Sequence, residues 1–135
     1  KMASKKILIV EDDQSLARLI SIHLYDAGYE PQVAFDGVLA MAALRDFKPD
    51  LVVLDYMFPA GGGAAFHRRL RQLPQTAFKP ILILSAVEEK EVVKNLPLDS
   101  RTLFLAKPYQ KRDLIDKIEA MLSWSRPRHD TERLT

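Results

Sequence analysis

The sequence predicts an α/β domain: an open five-stranded parallel sheet, doubly wound, with helices on both faces. Three observations carry this. Short apolar runs alternate along the chain with stretches whose apolar residues recur at helical spacing. Three of the runs are near-continuously apolar, as in parallel strands covered on both sides. Glycine and proline fall between the segments, so strand and helix alternate, and right-handed crossovers place helices on each face.

In chain order, the first strand is KILIV, Lys6 to Val10. Leu16, Leu19, Ile20 and Leu24 then mark the core face of a helix that Gly28 closes. EPQVAF, Glu30 to Phe35, is the most polar strand and is expected at an edge. Leu39, Ala42, Ala43 and Phe47 mark the second helix, and Pro49 leads into DLVVLD, Asp50 to Asp55. Phe66, Leu70 and Leu73 mark the third helix, followed by PILILS, Pro80 to Ser85. The fourth helix, in EEKEVVKNLPL, has few apolar anchors, and Pro97 is expected to end it early. TLFLA, Thr102 to Ala106, is the last strand, and Leu114, Ile115, Ile118 and Leu122 mark the last helix.

A chain of 135 residues, 47% of them hydrophobic, fits one domain with a proper core. Twenty Lys and Arg against eighteen Asp and Glu leave a charge of +2, no argument for nucleic-acid binding. The basic run His67, Arg68, Arg69 and Arg71 reads as a solvated helix face. The absence of cysteine excludes disulfides, thiolate catalysis and zinc sites built on sulfur. No apolar run approaches the ~20 residues of a membrane span, and the N-terminus lacks a signal-peptide apolar region. The expectation is a soluble, cytoplasmic protein without a membrane partner. Lys1 ahead of Met2 reads as a vector remnant.

In open parallel sheets, function sits outside the carboxyl ends of the strands. Glu11, Asp12 and Asp13 follow the first strand, Asp55 ends the third, Ser85 ends the fourth and Lys107 follows the fifth. Two carboxylates about 4 Å apart repel by roughly 4 kcal/mol at an effective dielectric near 20, so such a cluster needs a cation or a proton. Oxygen ligands without His or Cys favour magnesium, which tolerates several waters and phosphate oxygens. A carboxylate facing magnesium and an ammonium can attack phosphorus and form an aspartyl phosphate. Asp55 stands alone at its strand end and is the candidate nucleophile, whereas the paired Glu11 and Asp12 suit the metal. Taken singly, a strand-end Asp or Ser is an ordinary helix cap and Lys-Pro an ordinary loop dipeptide. Their joint placement argues for a site.

ILIVEDD, DLVVLDYMFPAGGG, ILILSA and FLAKPY, in this order and spacing, resemble the receiver domain of two-component response regulators, a flavodoxin-like fold. AGYEPQVAFDG and the 22-residue step from Ser85 to Lys107 support the match, which covers residues 5–124. The resemblance implies that Asp55 takes phosphate from the phosphohistidine of a histidine kinase or phosphotransfer protein. It implies that Glu11 and Asp12 hold Mg2+ with Asp55 and the Met57 backbone carbonyl, and that Ser85 and Lys107 bind the phosphoryl group. Pro59 and Gly63 fall where the family's acceptor loop has Pro and Gly, and Asp13, one position beyond the family's acidic pair, reads as a loop or helix-start acid. Such a domain is not an enzyme in the usual sense; it catalyses its own phosphorylation and dephosphorylation. The family's switch pairs Ser85 with an aromatic three residues before the lysine, here Phe104, which turns inward when the serine is drawn to phosphate.

Two departures from the family pattern stand out. LPLDSR, Leu96 to Arg101, replaces the usual turn before the last strand, so the fourth helix and its loop, the family's signalling face, are atypical. Met57 and Val87, two residues beyond Asp55 and Ser85, are apolar where side chains influence access of the hydrolysing water, which predicts a long-lived phosphoryl group.

After Trp124 the tail SRPRHDTERLT, residues 125–135, reads as a linker or tail leaving the domain, with His129 solvated. The implied partners are the kinase or phosphotransfer protein and an output domain, linked or separate. A homodimer is compatible, and direct nucleic-acid binding by this domain is not expected. A flavodoxin-like cofactor binder would need a glycine-rich phosphate loop where these carboxylates stand. A haloacid-dehalogenase-type phosphatase would need a second Asp at position 57. The alternative that keeps weight is a receiver-like interaction module independent of phosphate.

Overall fold

The computed structural model describes residues 4–58, 62–96 and 98–124. Five strands, β1 (Lys6–Val10), β2 (Glu30–Ala34), β3 (Leu51–Asp55), β4 (Ile81–Ser85) and β5 (Thr102–Ala106), form one parallel sheet in the order β2-β1-β3-β4-β5. The helices are α1 (Gln14–Asp26), α2 (Gly37–Asp46), α3 (Gly62–Gln72), α4 (Glu89–Asn95) and α5 (Lys111–Leu122).

The continuous apolar runs are explained by strand alternation. Ile7, Ile9, Leu51, Val53, Leu82 and Leu84 face one side, where Ala17, Ile20 and Leu24 of α1 and Leu114, Ile118 and Met121 of α5 cover them. Leu8, Val10, Val52, Leu54, Ile81 and Ile83 face the other, beneath α2, α3 and α4. Each such side chain contributes roughly 1.5–3 kcal/mol on burial. β2 is an edge strand, as its polarity predicts, and an edge tolerates Pro31, which lacks a ladder donor. Asp50 ties β3 to β1: its N–H donates to the Lys6 carbonyl at 2.7 Å, and its carboxylate accepts from the Lys6 N–H at 2.8 Å.

Helix ends follow local chemistry. Asp13 caps α1 by accepting from the Leu16 N–H at 3.1 Å, and Asp36 caps α2 through the Leu39 N–H at 2.8 Å. Gly28, at φ +96°, supplies the left-handed residue that follows α1. The core-facing stripes differ from those expected. Ile20, Leu24 and Ala43 are buried as expected, but Leu19 of α1 and Leu39 of α2 are each 49% exposed; Ala17, Ala40 and Leu44 take the inner lines instead. Alanine lets a helix approach the sheet closely, and in helices this rich in apolar residues that approach selects the stripe. In the last helix Met121 is buried and Leu122 only half-buried. α4 has seven residues, one buried side chain, Val92, and no side-chain hydrogen bond at its N-cap. Its expected terminator Pro97 lies outside the described residues, as do Pro59 and residues 125–135 with His129.

Only half of the basic run on α3 is a solvated face: Arg68 and Arg69 are exposed, but the other two residues are not. His67 is buried and Arg71 largely so, and both turn onto the segment that enters β5. The Arg71 guanidinium pairs with Asp99 at 2.8 Å and donates to the carbonyls of Thr76, Lys79 and Arg101 at 3.0, 2.8 and 3.1 Å. It also donates to Thr102 Oγ1 at 3.0 Å, while that hydroxyl donates to Asp99 at 2.9 Å. A hydroxyl has one proton and two acceptor positions, so the 2.8 Å contact with His67 Nε2 is a donation from the imidazole. Position in sequence put these basic residues on a polar helix; the Asp99 carboxylate and Thr102 draw His67 and Arg71 inward.

Two outcomes test this account. Ile20→Ala costs about 2–5 kcal/mol in urea unfolding, whereas Leu19→Ala changes stability by less than about 1 kcal/mol. Burial alone would raise the Asp99 pKa, but hydrogen bonds from His67, Arg71 and the Arg101 N–H hold it well below its ordinary 3.8. A depressed carboxyl stabilises the fold fully above its unfolded pKa and loses that contribution as pH falls toward its folded one. The stability gap between the native chain and Asp99→Asn is therefore flat above about pH 4 and closes with acidification below it.

Candidate functional site

The carboxyl ends of β1, β3, β4 and β5 converge on one crevice. β1 delivers Glu11, whose N–H donates to the Ala34 carbonyl at 3.2 Å, holding the backbone in line with the edge strand. Glu11 is buried, and its Oε2 accepts from the Asp13 N–H at 3.2 Å. Asp12 beside it is exposed. Asp55, the last residue of β3, is buried, and the next N–H, of Tyr56, donates to the Leu84 carbonyl at 2.8 Å. Lys107 is fixed by its own N–H, which donates to the Ser85 carbonyl at 2.8 Å. A cis peptide joins it to Pro108. Its ammonium reaches across β4 to Asp55 Oδ1 at 3.2 Å and Glu11 Oε1 at 3.4 Å.

Glu11, Asp12 and Asp55 each offer a carboxylate oxygen, and the three oxygens lie within 4.8 Å of one another. Three ionised carboxylates and one ammonium leave two negative charges uncompensated, which fits a divalent cation with a preference for oxygen. Burial raises the Glu11 pKa, and the nearby Asp55 charge raises it further, against the Asp13 N–H and Lys107. Tyr109, half-buried, has its hydroxyl pushed up to about 12 by burial and by the Glu11 charge. That aromatic border was not singled out in the sequence; its signal was its place two residues beyond Lys107.

The backbone beside Asp55 is packed against glycine. Gly63 N–H donates to the Tyr56 carbonyl at 2.7 Å, and a Cβ on Gly63 would lie 2.7 Å from the Asp55 carbonyl oxygen and 2.8 Å from Tyr56 Cα. Gly62, at φ +82°, takes a left-handed conformation just before it.

Glu11, Asp12, Asp55 and Lys107 thus come together. Ser85 is buried at the end of β4, but its hydroxyl is turned onto its own loop, accepting from the Val87 N–H at 2.9 Å and donating to the Val87 carbonyl at 3.2 Å. The Met57 side chain is 66% exposed and points no apolar bulk into the core. Phe104, on β5, is half-buried and packs against the core under α2, α3 and α4. Asp13 serves as the α1 cap. No helix among the described residues is long and apolar enough to cross a membrane.

Comparison with known proteins agrees with this geometry. Residues 7–119 match the response regulator receiver domain family. The chain is 36% identical over 123 residues to the phosphate regulon transcriptional regulatory protein PhoB of Rhizobium meliloti, covering 90% of this chain and 54% of that protein. It is 34% identical over 119 residues to the DNA-binding response regulator MtrA of Mycobacterium tuberculosis, covering 87% and 50%. The chain spans about half the length of these curated relatives. Among solved structures, it superimposes on the chemotaxis protein CheY4 of Vibrio cholerae with a TM-score of 0.78 at 30% identity, covering 88% of this chain and 99% of that one. A putative response regulator from Chloroflexus aurantiacus gives 0.79 at 27% identity, covering 90% and 99%. The chain belongs to the receiver domain family of two-component response regulators.

Proposed function

We propose that Asp55 is the phosphoacceptor of this receiver, taking a phosphoryl group from the phosphohistidine of a histidine kinase or phosphotransfer protein. The observation that carries this reading is the Lys107 ammonium 3.2 Å from Asp55 Oδ1, in a crevice that otherwise concentrates carboxylates. In the transfer an Asp55 oxygen attacks phosphorus, the phosphorus–nitrogen bond breaks, and its electron pair returns to the imidazole, which takes up a proton from water. Lys107, shared between Glu11 and Asp55, offsets charge on the incoming oxygens. The carboxylates of Glu11, Asp12 and Asp55, with the Met57 backbone carbonyl, would hold Mg2+, which when bound screens the phosphoryl charge. The domain thereby catalyses its own phosphorylation and, with water as acceptor, its own dephosphorylation.

Ser85 and Phe104 form the switch in this reading. The Ser85 hydroxyl donates to the Val87 carbonyl at 3.2 Å, longer than a good hydroxyl bond, so exchanging that partner for a phosphoryl oxygen costs little. Its movement vacates space beside β5 for Phe104, and the displaced loop alters the face made by α4, β5 and α5. An output domain, covalently linked or separate, reads that face in the cytoplasm. The names of the relatives, a transcriptional regulator and a DNA-binding regulator, favour transcriptional output.

Intact mass after treatment with acetyl phosphate tests the acceptor. A gain of one phosphoryl group that needs magnesium and is absent in Asp55→Asn is expected; uptake by the variant assigns the phosphate elsewhere. After removal of the donor the added mass persists, because the apolar side chains of Met57 and Val87 cannot orient water, and rapid loss would contradict this. Gly63→Ala forces the Asp55 and Tyr56 backbone aside, destabilises the chain by about 1–3 kcal/mol in urea unfolding and slows uptake of phosphate.

A further inference from the structure

At the end of the sheet opposite Asp55, the C-terminal end of α2, the turn into β3 and the loop between α3 and β4 enclose a cavity of about 350 Å³. Small-molecule sites run from about 300 to 1,000 Å³. The inner wall is formed by Leu44, Pro49 and Thr76, all buried. The Thr76 hydroxyl proton is committed to the Leu70 carbonyl, so this wall offers a ligand mainly apolar surface. The rim carries Arg45, Lys48 and Lys79 and no carboxylate. Arg45 is paired with Asp46, but Lys48 and Lys79 have no ion pair among the described residues. The end of α2 contributes about half a negative charge, which two unpaired ammonium groups exceed.

The backbone adds a second observation. Lys48 follows the α2 C-cap Phe47 at φ +54°, and its N–H donates to the Ala43 carbonyl at 3.1 Å. Glycine relieves the strain of that left-handed position, as Gly28 does after α1. A lysine there places a cation at the cavity rim at the expense of local stability. The side of the cavity formed by the loop between α3 and β4 is held in shape, since Arg71 donates to the Thr76 and Lys79 carbonyls at 3.0 and 2.8 Å. A fixed wall lowers the ordering cost of binding.

We propose that this cavity binds a small amphiphilic anion, with its apolar body against Leu44 and Pro49 and a carboxylate or phosphate head between Lys48 and Lys79. The site is independent of the acceptor chemistry at Asp55. The test is titration of the isotopically labelled full chain, followed by amide resonances, with octanoate and octyl phosphate below their micelle-forming concentrations. Octanol supplies the apolar half alone and inorganic phosphate the charged half. Saturable shifts at Leu44, Lys48, Thr76 and Lys79 with either octyl anion, and not with octanol or inorganic phosphate at the same concentration, support the site. The stronger of the two octyl anions identifies the head group. Lys48→Gly raises the melting temperature while weakening binding, and adding Lys79→Gln weakens it about tenfold in total, with the amide dispersion of a folded chain retained. A residue with only a structural role would not lose binding as stability rises. No saturable shift, undiminished binding by the double variant, or equal binding of octanol or inorganic phosphate overturns the proposal.

Discussion

The Lys107 ammonium between Glu11 and Asp55 is the interaction on which the site depends. Two buried carboxylates stand at the ends of neighbouring strands, and burial together with the nearby Asp55 makes the Glu11 charge harder to sustain. Lys107 follows β5, two strands from Asp55, and only a long side chain can cross β4 to reach it. The crossing works because the Lys107 backbone is fastened to Ser85 at the end of β4. The order of strands in the sheet therefore sets the electrostatics of the crevice.

The sheet itself is a rigid spacer between two polar poles. β1, β3 and β4 are apolar on both faces and covered on both, so a shift along any one of them would misplace every side chain it carries. At one pole the strand ends hold the acids, hydroxyl and ammonium. At the other, Arg71 gathers the loop after α3, Asp99 and the start of β5 into one hydrogen-bonded knot. Between the poles α4 is short and anchored by Val92 and the C-cap Leu96. It is the element with least to lose in a rearrangement, which suits it to a switching face. The LPLDSR segment is unusual in sequence, yet Asp99 gives it a firm attachment.

Much of the fold was legible in sequence because its signals are local. Five strands and five helices, the edge position of β2, the Asp13 start and the Gly28 stop each rest on residues within a few positions of one another. The gathering of Glu11, Asp12, Asp55 and Lys107 was legible for a different reason: parallel strands necessarily present their carboxyl ends together. The helix stripes were less so. Leu19 and Leu39 fit helical spacing as well as Ile20 and Ala40 do, and periodicity does not distinguish two overlapping stripes in an apolar helix.

By itself the sequence determined the α/β alternation, the two-sided burial of the central strands and the chemistry collected at their ends, since each follows from backbone geometry and side-chain type. Tertiary structure decided which stripe of α1 and α2 meets the sheet, because that depends on how closely a helix can approach a particular neighbour. It also decided the fate of His67 and Arg71. Asp99 lies 28 residues beyond Arg71 in the chain, and only the fold makes that carboxylate a closer partner for the guanidinium than water.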